Sequence, residues 1–150
     1  MFFNTLYWGK RLKDWKTNKQ HNVWVEGYYL SRKETTYCFT EDYERNPVKT
    51  LHYIAVDTMT DWGLPNECRC YEIDPDTLCQ FTGMLEEKSK KKIWENDIIE
   101  GTFWGFMIPV ENYVFQISWH EDVAGWYRNV MDVDNEVIGN IFDNPELTYH

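Results

Sequence analysis

The hydrophobic positions of this chain fall in short runs of β-branched and aromatic residues, which turn residues interrupt about every ten positions. No window keeps a helical period for more than about two turns. The pattern therefore predicts a mainly β protein. The predicted strands are Val23–Leu30, Thr36–Phe39, His52–Val56, Arg69–Ile73, Leu78–Thr82, Ile93–Trp94, Asp97–Gly101, Tyr113–Trp119, Gly125–Val130 and Val137–Ile141.

Turn chemistry suggests how these strands are connected. Asp74-Pro75-Asp76-Thr77 places proline at the second position of a predicted type I turn. The polar stretch Gly83–Lys92 is either a wide hairpin loop or a boundary, and we favour the hairpin. Many short strands at this spacing favour a sandwich or a small barrel, because closure removes exposed strand edges. We divide the single unit 1–150 into an N-terminal β-rich region, 1–82, and a C-terminal region, 83–150.

Composition indicates an acidic protein whose core depends on aromatic rings. The formal net charge is -10, and aromatic residues are 17% of the chain out of 43% hydrophobic. The sequence has no apolar run near the ~20 residues of a membrane span and no basic-then-apolar leader. We therefore expect a cytoplasmic protein without a membrane anchor.

Positive charge is concentrated in two clusters. The thirds of the chain carry net charges of +3, -6 and -7. Either cluster could contact phosphates, but the acidic remainder opposes a polyanion, and solvated loops are the more common role of such runs. Nucleic-acid binding is therefore a secondary hypothesis. The clusters are Lys10, Arg11, Lys13, Lys16 and Lys19, and then Lys88, Lys90, Lys91 and Lys92.

Aromatic residues near the C-terminus have three alternative roles: core packing, a protein interface, or stacking on a ligand or base. Core packing is favoured, since Arg128 is the only basic residue in the last third. Trp104 and Trp126 are kept as candidate binding residues beside the second lysine cluster.

The four cysteines give a weak metal signal. Cys68 and Cys70 are followed by Cys79, but structural zinc sites usually space paired ligands two to four residues apart, and only Cys38 and His52 could complete a set. Alternation instead places Cys68 and Cys70 on one face of a strand as reduced, small hydrophobic side chains. We expect no metal and no cofactor.

Catalytic motifs are missing from the sequence. It contains no P-loop, dinucleotide-binding glycine pattern, His-Glu-x-x-His or Gly-x-Ser-x-Gly motif. His120 precedes Glu121 and Asp122, which could form an acid–base group, yet these residues are more typical of a strand end entering a turn. We do not expect an enzyme.

Four segments of the chain carry a further signal, and they are Tyr7–Arg11 with Trp24–Tyr29, Tyr71–Thr77 running into Gln80–Met84, Lys92–Glu100, and Glu136–Leu147. Together these segments resemble the YopX-like family of bacteriophage and prophage proteins. In one of them, Asn96 stands where the family has glycine; asparagine tolerates a left-handed backbone, so the tight turn can persist.

The resemblance implies a mostly β phage protein with an SH3-like small barrel in the C-terminal half and N-terminal strands packed against it. It transfers no functional residues. We expect a non-enzymatic phage accessory protein that acts through contacts with an unknown protein partner, because Trp and Tyr are favoured interface anchors. The 8 Trp, 10 Tyr and 8 Phe also favour a homo-oligomer.

Overall fold

The fold is taken from a computed structural model that describes residues 5–12, 23–33, 37–105, 108–126 and 135–148. The chain divides into two compact units, Met1–Leu78 and Cys79–His150. Most regular structure in the described residues is antiparallel β-strand, which confirms the predicted mainly β class. Within these ranges, none of the helices has the length and apolar character needed to cross a membrane.

The first unit contains a sheet with strand order β4-β3-β2-β1. Its register pairs Trp8 with Glu26 and Ile54 with Tyr71, so each strand runs antiparallel to its neighbour. The pairing of the first two strands confirms what the family resemblance implied. The strands are β1 (Tyr7–Lys10), β2 (Trp24–Lys33), β3 (Thr50–Thr58) and β4 (Glu67–Glu72).

The predicted strand Thr36–Phe39 is wrong. Thr36 lies outside the described residues, and Tyr37–Phe39 form an irregular approach to a short helix, α1 (Thr40–Arg45). No residue of α1 is buried, and its acidic first turn and basic last turn match the helix dipole. A four-residue aromatic and β-branched run does not by itself distinguish a strand from the entry to a helix.

Close approach of strands shapes the core of the first unit. Ile54 and Ile73 are almost fully buried. Gly27 on β2 faces β3, where a Cβ atom would lie 2.2 Å from the carbonyl oxygen of Ala55 and 2.9 Å from Ile54 Cγ2. The missing side chain is therefore what lets these two strands pair around Ile54.

The second unit is also antiparallel. A hairpin joins β5 to β6, strands β11, β7 and β8 form a three-stranded sheet, and β9 pairs with β10. The hairpin confirms the preferred interpretation of the polar stretch 83–92. The strands are β5 (Cys79–Leu85), β6 (Lys92–Trp94), β7 (Asp97–Gly105), β8 (Ile108–Gln116), β9 (Trp119–His120), β10 (Gly125–Trp126) and β11 (Glu136–Asn140).

Isoleucines form the buried centre of the second unit. Ile93, Ile99 and Ile117 pack together, and the surrounding partly buried side chains are those of Met84, Phe115, Trp126 and Val137. These residues come from six separate segments of the unit, so one small aliphatic cluster connects the hairpin with the sheet.

The tight turn predicted at Asn96 is present. Asn96 has φ of +66°, in the left-handed region that asparagine tolerates. Its N–H donates to the Ile117 carbonyl at 2.8 Å, and its carbonyl accepts from Ile141 N–H at 3.1 Å. Asn96 therefore connects this turn to two other segments of the second unit.

Candidate functional site

The second lysine cluster lies at the tip of the β5–β6 hairpin. The loop is closed by a hydrogen bond from Glu86 N–H to the Lys91 carbonyl at 2.8 Å and by another from Lys90 N–H to the Glu86 carbonyl at 3.0 Å. Lys88, Lys90 and Lys91 are exposed there, whereas Lys92 lies on β6 and is half-buried. Three of the four predicted lysines are thus brought together on one turn.

Carboxylates beside the lysine loop reduce its positive field. A cavity of about 150 Å³ is lined by Glu86, Lys88, Ser89, Asn135 and Glu136. Glu86 is 6% exposed and accepts hydrogen bonds from the Val137 N–H and from the Ser89 hydroxyl. Because two carboxylates line the cavity with Lys88, the loop is a mixed-charge surface rather than a basic groove.

The two candidate tryptophans are not both described. Trp126 on β10 is half-buried, packs against the isoleucine cluster and makes an edge contact with Trp119 at a centroid distance of 5.2 Å. Most of its ring is therefore used in packing. The backbone of Trp104 pairs with Pro109 in the β7–β8 ladder, while its side chain lies outside the described part of the structure.

The first basic cluster is only partly described. Lys10 Nζ lies 5.3 Å from the centre of the Trp24 ring, and the guanidinium of Arg11 lies 4.2 Å from that of Tyr71. These contacts place both charges against aromatic rings as cation–π pairs. Lys13, Lys16 and Lys19 lie outside the described residues.

The cysteines differ from the sequence expectation in burial. Cys68 and Cys70 lie on β4, as predicted, but both are exposed rather than acting as small core residues. Cys68 pairs with Asp57 and Cys70 with Ala55 of β3, and among the described residues of the first unit β3 is the only strand that β4 pairs with. In the described ranges no three His, Cys, Asp or Glu side chains are arranged to hold a metal ion.

Cys79 is the buried thiol. Burial raises its pKa to about 12, and a hydrogen bond from Asn96 Nδ2 only partly opposes this effect. The thiol therefore stays protonated at neutral pH and is a poor nucleophile.

His120 lies where a strand enters a turn. It ends β9, and Glu121–Val123 form a single 3-10 turn after it, as the sequence indicated. The turn ends at Ala124, whose φ is +48°.

A buried carboxyl group was not indicated by the sequence. Asp97, at the start of β7, is 2% exposed, and its Oδ2 accepts the Trp94 N–H at 2.8 Å. Burial raises its pKa to about 7, against the lowering effects of this hydrogen bond and of Lys91, while Glu86 adds a smaller raising effect. Asp97 can therefore change its protonation state near neutral pH.

The most exposed apolar group in the described residues was also not indicated. The connection between β3 and β4 carries what we call the Trp62 loop, residues 59–64, in which Trp62 is 89% exposed, Met59 63% and Leu64 60%. Sequence signals were limited to the turn residues Leu64-Pro65-Asn66, which predict a loop but not what it displays.

The described fold gives the structural class of this protein, and a comparison with known families gives its family. It is an antiparallel β protein of two compact units that presents apolar side chains on a connecting loop. A family model described as YopX protein matches residues 13–148, and the chain therefore belongs to the YopX family. Comparisons with curated proteins and with solved structures gave no match.

Proposed function

We propose that this protein is a non-enzymatic accessory protein of a bacteriophage or prophage, and that it acts in the cytoplasm of a bacterial host through protein–protein contacts. The observation that carries the proposal is the exposure of large apolar side chains, with Trp62, Phe39 and Val123 each more than two-thirds exposed. Exposed tryptophans and other apolar anchors are typical of surfaces that become buried on binding.

Two further features belong to the same proposal. The strands of the second unit close into an SH3-like small barrel, and the protein assembles as a homo-oligomer. The short antiparallel strands support the barrel, and the exposed apolar groups support the homo-oligomer. Sedimentation at micromolar concentration tests the assembly, and a clean monomer would contradict it.

The main experiment is affinity purification of the tagged chain from an infected or lysogenic host, compared with a tag-only control. We expect one host or phage protein to be enriched in stoichiometric amount and to bind again as purified components. If no protein rebinds, the proposed mode of action is wrong.

Nucleic-acid binding remains the alternative, and the exposed Lys88, Lys90 and Lys91 on one loop are the observation in its favour. The carboxylates of Glu86 and Glu136 beside Lys88 oppose it. Protein contact is therefore the preferred proposal.

A further inference from the structure

We propose that the Trp62 loop is the docking element of this protein and that it inserts into an apolar pocket bordered by Lys and Arg residues on a partner protein. This inference rests on the proposed function, since it assigns a surface and a partner chemistry to the protein contact. The loop connects β3 and β4 and lies entirely within the first unit.

The apolar content of the loop is concentrated in three side chains. Trp62 is 89% exposed, and Met59 and Leu64 are each at least 60% exposed. All residues from 59 to 70 are exposed. A tryptophan flanked by methionine and leucine is the kind of group that carries much of the binding energy once it is desolvated in a partner pocket.

The loop is held in shape before any partner binds. Asp61 accepts the Trp62 N–H through Oδ1 at 2.7 Å and the Leu64 N–H through its carbonyl at 3.3 Å. Thr60 Oγ1 donates to the Pro65 carbonyl at 3.3 Å. Gly63 has φ of +79°, which favours glycine, so the turn that displays Trp62 is specified locally. Such preorganisation lowers the entropy cost of docking.

Charge around the loop selects the partner. Asp57 and Asp61 lie on or beside it, and Glu67 forms an ion pair with Arg69 at 3.0 Å. The remaining charge near the apolar tip is negative, and the whole chain carries -10. A pocket bordered by basic residues complements this field, whereas an anionic lipid surface or the equally acidic Trp62 loop of a second copy is repelled.

Site-specific photocrosslinking tests the inference in cells that naturally produce the full chain. A photoreactive p-benzoylphenylalanine replaces Trp62 in one variant and Trp119 in a matched control, since Trp119 is also exposed, at 48%, but lies in the second unit. We expect one protein to be captured from position 62 and not from position 119.

The captured protein is then purified and titrated against unmodified full-length chains. Trp62→Ser should weaken binding at least about thirty-fold, which corresponds to about 2 kcal/mol, and Trp119→Ser less than about twofold. The double variant Asp57→Asn, Asp61→Asn should slow association and flatten its salt dependence. Unchanged thermal unfolding of each variant confirms that it is folded.

Several outcomes would overturn the inference. They are capture of a second copy or of lipid from position 62, absence of a protein adduct there, and equal affinity of wild type and Trp62→Ser for the captured protein. If a partner is found by affinity purification but binds Trp62→Ser normally, the proposed function stands and the docking element lies elsewhere. If no partner binds wild type at all, both proposals fail.

Discussion

Replacing Asp97 with asparagine should make the stability of this protein much less dependent on pH. The carboxyl of Asp97 is buried at the start of β7, and its pKa rises from the ordinary value of 3.8 to about 7. The folded protein therefore holds a proton that the unfolded chain releases between about pH 4 and 7. Asp97→Asn keeps an oxygen that can accept the Trp94 N–H and removes the titration.

The sign and size of the pH dependence of stability follow from this raised pKa. Below pH 4 Asp97 is protonated in both the folded and the unfolded protein and does not affect stability. As pH rises from about 4 to 7, Asp97 ionises in the unfolded chain but not in the folded protein, so the free energy of unfolding falls. The full difference is roughly 4 kcal/mol, at about 1.36 kcal/mol per pKa unit. Between pH 5 and pH 8 the change amounts to roughly 2.5 kcal/mol.

Urea unfolding of wild type and Asp97→Asn at pH 5, 6, 7 and 8 measures this change. The two proteins share every other ionisable group, so the difference between their free energies of unfolding isolates Asp97. We expect the variant to gain roughly 2.5 kcal/mol relative to wild type between the two ends of the range. Parallel pH profiles would refute the reasoning, because they would mean that Asp97 is ionised in the folded protein throughout.

Four further predictions use other features of the structure. Gly27→Ala should cost about 1–3 kcal/mol because its Cβ meets the Ala55 carbonyl oxygen, whereas Gly125→Ala, with 3.7 Å to its nearest neighbour, should change unfolding by less than about 0.5 kcal/mol. Asn96→Ala should cost about 1 kcal/mol by thermal unfolding, and Asn96→Gly should recover most of it, because φ there is +66°. Iodoacetamide should leave Cys79 unmodified in the native protein and label the exposed cysteines; rapid labelling of Cys79 would show that it is accessible. Fluorescence titration with duplex DNA at about 150 mM salt should detect no binding. Micromolar affinity that is lost when four lysines are changed to alanine would instead favour the nucleic-acid alternative, and those lysines are Lys88, Lys90, Lys91 and Lys92.

The sequence predicts strands well where the alternation is long, and less well where a glycine lies inside a strand. β7 was predicted to stop at Gly101 but continues to Gly105. At Gly101 the position of a Cβ lies 2.1 Å from Asn135 Oδ1, so this glycine admits a neighbouring side chain inside the strand. That neighbour is 34 positions away, and local patterns carry no information about it.

The candidate residues were harder to predict for a related reason. Lysine clusters are visible as charge, but the carboxylates that oppose them are defined by the tertiary structure: Glu86 and Glu136 meet Lys88 at one cavity although Glu136 is distant in sequence. The raised pKa of Asp97 likewise depends on burial of its carboxyl group, which the neighbouring residues in the sequence do not specify. Contacts of this kind can be identified only from the folded structure.

A comparison of Trp94 with Trp62 shows why an exposed tryptophan is informative in this chain. Trp94 is buried: its indole contacts Phe81 at a centroid distance of 5.4 Å, and its backbone N–H donates to Asp97 Oδ2. Trp62 has the same side chain and lies in an ordered turn, yet it is almost fully exposed. Leaving a ring of this size in water forgoes a large burial energy. The Trp62 loop can recover that energy on docking, and this supports its assignment as the docking element.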